Sequence, residues 1–252
     1  MVESFRKKFI EIFEEGLKPF GFKPLKNSDI FVRAVNNEIL QFIYPRNLSS
    51  KGIGGSCFSI ETSVRSIYMS NINCSEIKSH QYMLYQFLSD EERSITPWQK
   101  YCFYYNHSNV ESVIENVLHE VIRLIIPVYN GITTLSKFME YSLLTNQTDL
   151  SFSPISDEFL VWIAVEEHLD IGALTKALMP KIKLLMEYKG DSVITEQALQ
   201  NAASDYLFKE YISPLNEIKN DPSLLAKANA ELEMRKKSNT AFLIKSGICL
   251  SN

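Results

Sequence analysis

The four histidines, His80, His107, His119 and His168, are the side chains best suited to acid–base or metal chemistry near neutral pH. No two of them share a spacing that would put both on one helix face to hold a metal. His119-Glu120 matches the first half of a zinc-protease motif, but the second histidine would have to stand at position 123, which is Arg123. His168 lies beside Glu166, Glu167 and Asp170, the one titratable cluster in the sequence. Carboxylates around a histidine can transfer protons or bind a metal. Adjacent positions of a helix point in different directions, however, and a histidine near a helix C-terminus is satisfied by the helix dipole. A structural role is therefore expected for His168, and no catalytic residue, cofactor or bound metal is expected anywhere in the chain.

Two other groupings bear on binding. Between Lys137 and Lys176 there is no Lys or Arg, while Glu140, Asp149, Asp157, Glu158, Glu166, Glu167 and Asp170 place seven acids in 38 residues. Asp157, Glu158, Glu166 and Glu167 are the candidate recognition residues of this acidic run, which would speed association with a basic partner. The plainer expectation is a solvated surface facing Arg235-Lys236-Lys237. Arg33, Glu61 and Arg65 form the second grouping, as candidate members of a polar sheet face that is either solvated or a docking face for a partner. The glycine-rich stretch Lys51, Gly52, Gly54, Gly55 invites comparison with phosphate-binding loops. A Walker loop must enter a helix, whereas this stretch leads into a strand pattern, so a hairpin loop is expected.

These groups need elements to hold them. Phe5, Phe9, Ile12, Phe13 and Leu17 fall on one face at 3.6 residues per turn, predicting a helix that stops at Pro19-Phe20-Gly21-Phe22. The period then changes to two. Asp29 to Val35 and Glu38 to Tyr44 predict a hairpin whose turn, Asn36-Asn37, suits left-handed residues. Residues 57–65 alternate Phe58, Ile60, Thr62 and Val64 against Ser59, Glu61, Ser63 and Arg65, the pattern of an antiparallel sheet packed on one side.

The order of helix, "LKPFGFKPL", "DIFVRAV" and "EILQFIYP" resembles the opening of domain-of-unknown-function family 4304, an uncharacterised bacterial group. The resemblance covers roughly residues 5–65. It implies a helix and a Gly-Phe turn ahead of a short antiparallel sheet, and it supplies no catalytic residues.

Farther on, a helix is expected over Ser75 to Leu88, a solvated turn at Asp90 to Arg93, and a sheet-closing strand through Trp98, Tyr101, Phe103, Tyr104 and Tyr105. Stacking platforms for nucleic acid interleave aromatics with basic residues, and Lys100 alone is present here, so these aromatics are expected in the core. Val110, Val113, Ile114, Val117, Val121 and Ile125 predict a helix from Ser108 that ends at Pro127. Beyond Gly131 helices are predicted over Thr133 to Thr145, Asp157 to His168, Ala173 to Tyr188 with a kink or break at Pro180, Glu196 to Tyr211, and Pro222 to Lys237. The expected fold is α+β: a sheet domain over residues 1–130, then a helical portion over 131–252, either separate or packed on the first.

With 252 residues and 45% hydrophobic content, the chain can bury a sizeable core. Its net charge of -4 argues against a nucleic-acid-binding surface over the whole protein. The four cysteines, Cys57, Cys74, Cys102 and Cys249, are far apart with no C-x-x-C pair, as for thiols in a reducing compartment. No stretch has the form of a signal peptide or a membrane span, so a cytoplasmic location is expected. The lack of a complete catalytic motif and the acidic run together point to a non-enzymatic interaction or regulatory module with a protein partner, of which toxin neutralisation is one form. The alternative is an enzyme whose site is dispersed at the junction of the sheet layer and the helical half.

Overall fold

The computed structural model describes residues 2–48, 56–70, 72–77, 82–145, 157–166, 169–189, 194–248 and 250. The glycine-rich stretch, His80, Asp149, Glu167, His168 and Cys249 lie outside them. The chain is α+β and divides into two compact units. The first comprises residues 1–65, 72–133 and 240–252, the second residues 66–71 and 134–239, so neither is a single stretch of sequence.

In the first unit, α1 (Val2–Leu17) buries Phe5, Phe9, Phe13 and Leu17, as its periodicity predicts. A 3-10 turn at Lys18–Phe20 follows, and Gly21 closes it at φ 82°, where an L side chain is strained. Among the described residues the sheet has six strands: β1 (Lys23–Pro24), β2 (Phe31–Val35), β3 (Ile39–Leu48), β4 (Ser56–Ser66), β5 (Tyr82–Met83) and β6 (Phe103–Tyr105). β1 to β4 are neighbours in chain order, and β5 and β6 both pair antiparallel with β4. Asn36 and Asn37 turn β2 into β3 at φ 51° and 57°, the left-handed residues expected of a tight turn, and Val35 pairs with Ile39 across it. β3 runs past the expected end at Tyr44, through Pro45, to Leu48.

The helix expected over Ser75 to Leu88 is not formed. A single turn, α2 (Cys74–Ile77), is followed by β5 and a 3-10 turn at Leu84–Phe87. The expected turn at Asp90 is instead α3 (Asp90–Ile95), started by a capping box in which the Ser89 hydroxyl accepts from the Glu92 N–H and the Glu92 side chain accepts from the Ser89 N–H.

Helix α4 (Val110–Gly131) passes through Pro127 rather than ending there. Proline removes one helical hydrogen bond, but tertiary contacts hold the turn that follows. Gln41 Nε2 donates to the Tyr129 carbonyl at 2.7 Å, and the fully buried Tyr129 hydroxyl donates to the Phe42 carbonyl at 3.1 Å. Gly16 brings α1 against α4, since a Cβ there would lie 2.2 Å from Leu118 Cδ2.

The second unit is helical: α5 (Leu135–Thr145), α6 (Asp157–Val165), α7 (Ile171–Tyr188), α8 (Glu196–Leu207), α9 (Ser213–Asn220) and most of α10 (Pro222–Lys245). Asp170 and Thr195 cap α7 and α8 by accepting from the Ala173 and Ala198 N–H groups. α7 runs unbroken through Pro180. A π-helical turn at Phe208–Ile212 joins α8 to α9 and buries Tyr211, whose ring stacks on Trp162 of α6 at 4.8 Å. α10 is longer than its pattern predicts, and its buried Asn239 donates from Nδ2 to the carbonyls of Ile67 at 2.7 Å and Met69 at 2.8 Å.

Candidate functional site

The residues expected to form a polar sheet face do not share one. Phe31 and Phe58 meet Phe9 of α1, which identifies the helix-covered side of the sheet. Arg33, two residues from Phe31, points to that same side. Its guanidinium lies 5.0 Å from the Phe22 ring and donates to Gln41 Oε1 at 2.7 Å, the Phe20 carbonyl at 3.1 Å and Asn130 Oδ1 at 2.8 Å. Arg33 thus ties the end of α4 to β2 and β3.

Glu61 and Arg65 have the opposite parity to Phe58 and lie on the other side of β4. The expectation of a solvated face fails there: Glu61 is 1% exposed and Arg65 2%. Alternation had suggested a sheet packed on one side, but both sides of β4 are buried. Glu61 Oε1 accepts from Arg46 Nη1 at 2.8 Å, and the Arg46 side chain remains 54% exposed. Tyr44, fully buried nearby, donates to the Ile77 carbonyl at 3.2 Å. Its phenol is pushed well above the ordinary tyrosine range, first by burial and then by the Glu61 charge.

The acidic run is partly consumed within the chain. Glu166 pairs with Lys219, Glu140 with Lys137 at 2.8 Å, and Asp170 caps α7. Asp157 and Glu158 sit in the first turn of α6 with their side chains outside the described residues, as is all of Glu167. The basic stretch has its own partners: Arg235 pairs with Glu231 at 2.8 Å, and Lys236 Nζ lies 5.6 Å from the Tyr68 ring centre. His107 and His119 are both exposed. Among the described residues, no three of His, Cys, Asp and Glu converge as a group able to hold a metal ion.

The segment from α3 to β6 offers a different surface. Arg123 of α4 pairs with Glu92 of α3 at 3.2 Å and with Glu120 at 2.8 Å, fixing α3 against α4. The Ser89 N–H and hydroxyl, and then Arg123, hold the Glu92 carboxyl below its usual range. Ile95 ends α3 at 77% exposure. Pro97 starts a 3-10 turn at Trp98–Tyr101, which leaves Trp98 49% exposed and buries Tyr101. In β6 the alternation then sorts the aromatics. Phe103 and Tyr105 pack on Phe58, Tyr105 also stacks on Phe5 at 4.6 Å, and Tyr104 between them points outward, 47% exposed. Among the described residues β6 pairs with β4 alone.

From the sequence alone all five aromatics of this stretch are expected in the core. Two signals separate Trp98 and Tyr104 from the rest: Pro97 keeps Trp98 out of a strand, and period two sets Tyr104 against Phe103 and Tyr105. Searches against protein families, curated proteins and solved structures return no match to this chain.

Proposed function

We propose that the chain is a non-enzymatic interaction module that docks a protein partner through the segment that exposes Ile95, Trp98 and Tyr104. The observation that carries this reading is the exposure of three large apolar side chains within ten residues, on a segment otherwise held firmly by a capping box and a two-way arginine pair. Large apolar side chains left exposed close together in sequence are candidates for partner contact, and Trp and Tyr are the residues most often found to dominate interface energies. A rigid mounting adds to this, because less side-chain and loop entropy is lost on docking.

The test is capture of the partner with the tagged full chain in the native host, followed by calorimetric titration of the purified pair. Trp98→Ala with Tyr104→Ala should weaken binding by at least about 2 kcal/mol, roughly thirtyfold in Kd, while the melting temperature stays unchanged. Equal affinity of variant and wild type would place the docking surface elsewhere.

A further inference from the structure

On the side of β4 away from α1, Ser59, Glu61 and Ser63 occupy positions i, i+2 and i+4, and each is 1% exposed. Ser59 Oγ, Glu61 Oε2 and Ser63 Oγ find no hydrogen-bond partner among the described residues. Buried carboxylates and hydroxyls in folded proteins are satisfied by protein or by ordered water. Three such atoms in a row on one strand define a polar seam rather than an isolated defect.

We propose that this seam is an internal hydration site, in which ordered water bridges Ser59 Oγ to Glu61 Oε2 and Glu61 Oε2 to Ser63 Oγ. The spacing favours water over direct contact. Same-side residues two apart on a strand stand about 6.6 Å apart along its axis, too far for serine and carboxylate to bond directly without distortion. One water making two O–H···O bonds spans about 5.5 Å, close to that separation once the side chains lean. Charge argues against a metal cation. The Arg46 guanidinium already bonds the other oxygen of Glu61, and Arg65 lies two residues beyond Ser63 on the same side, so the carboxylate is offset by guanidinium charge. A neutral guest that donates to Glu61 Oε2 and exchanges hydrogen bonds with serine hydroxyls fits this balance. Arg46, half exposed and bonded to Glu61, places the seam one side chain from bulk water.

Oxygen-17 magnetic relaxation dispersion on the full chain counts long-lived internal waters. The double variant S59A/S63A should lose about one or two of the waters counted in the wild type, because a buried water needs two or more polar partners. Its urea midpoint should not rise. An unchanged water count would overturn the proposal, and so would a rise in urea midpoint, which is the result expected if the hydroxyls are dry and unpaired. Should the double variant fail to fold, S63A alone reads the same quantity: loss of one water supports the seam, and no loss overturns it.

Discussion

Phe9 and Phe58 are fully buried and touch each other edge-on, 6.1 Å between ring centres, at the contact of α1 with the sheet. Truncating either to alanine should cost about 3–5 kcal/mol, read as a shift of the urea midpoint at constant slope. Because the two rings share a contact, the double variant should cost less than the sum of the singles. Gly21 makes a different demand. Among the described residues a Cβ there would meet the Arg33 side chain, Cδ at 3.6 Å and Cγ at 3.8 Å, so space is available, but φ 82° is not a conformation that alanine adopts freely. Gly21→Ala should destabilise by about 1–2 kcal/mol through the backbone alone. Asn239 is the corresponding point in the helical unit. Asn239→Leu would leave the Ile67 and Met69 carbonyls without their donor, at a cost of about 1–3 kcal/mol for each carbonyl that stays dry.

Elements whose own residues determine them were legible in the sequence. The stripe of α1, the Asn36-Asn37 turn and the alternation in β4 needed no tertiary information, because period and left-handed turn residues are local properties. What escaped was tertiary in origin. Pro127 is a valid stop signal, yet the Gln41 and Tyr129 hydrogen bonds carry α4 past it, and nothing near residue 127 announces that contact. Glu61 and Arg65 read as solvated because charged residues usually are, and their burial is decided by what packs against β4. The proposed docking segment falls between these cases, since Pro97 and the parity of Tyr104 are visible in the sequence while the run of five aromatics reads as one block. Caps also count at this scale. Asp170→Ala or Thr195→Ala should each cost about 1 kcal/mol, measured as a fall in helical unfolding midpoint.

For the whole molecule, titration offers a prediction with a definite sign. Tyr44 and Tyr129 are fully buried, and desolvation raises both phenols above the ordinary value of about 10. In the unfolded chain they ionise at about pH 10, while the folded chain keeps their protons. The unfolded state then binds fewer protons than the native one, so stability is fully present below about pH 10 and falls as pH rises above it. Absorbance at 295 nm should show these tyrosines titrating only as the protein unfolds, with Tyr44→Phe removing part of the alkaline loss. Normal titration of all tyrosines in the folded protein would contradict their burial. No helix among the described residues is long and apolar enough to cross a membrane.

The order of strands in the sheet carries a consequence in time. β1, β2, β3 and β4 are neighbours in the order in which they are synthesised, and the phenylalanines of α1 that cover them precede them all. β5 and β6 join β4 from residues 82–83 and 103–105, after separate excursions of the chain. Short loops close at less entropic cost than long ones, so the four-strand meander is the natural first assembly, on the ribosome as in refolding. Pulse-labelled hydrogen exchange should find the amides of Phe31 to Ile43 protected before those of Phe103 to Tyr105. Until β5 and then β6 arrive, the edge of β4 is open, and that interval is when a nascent chain of this protein is most exposed to pairing with another copy of itself.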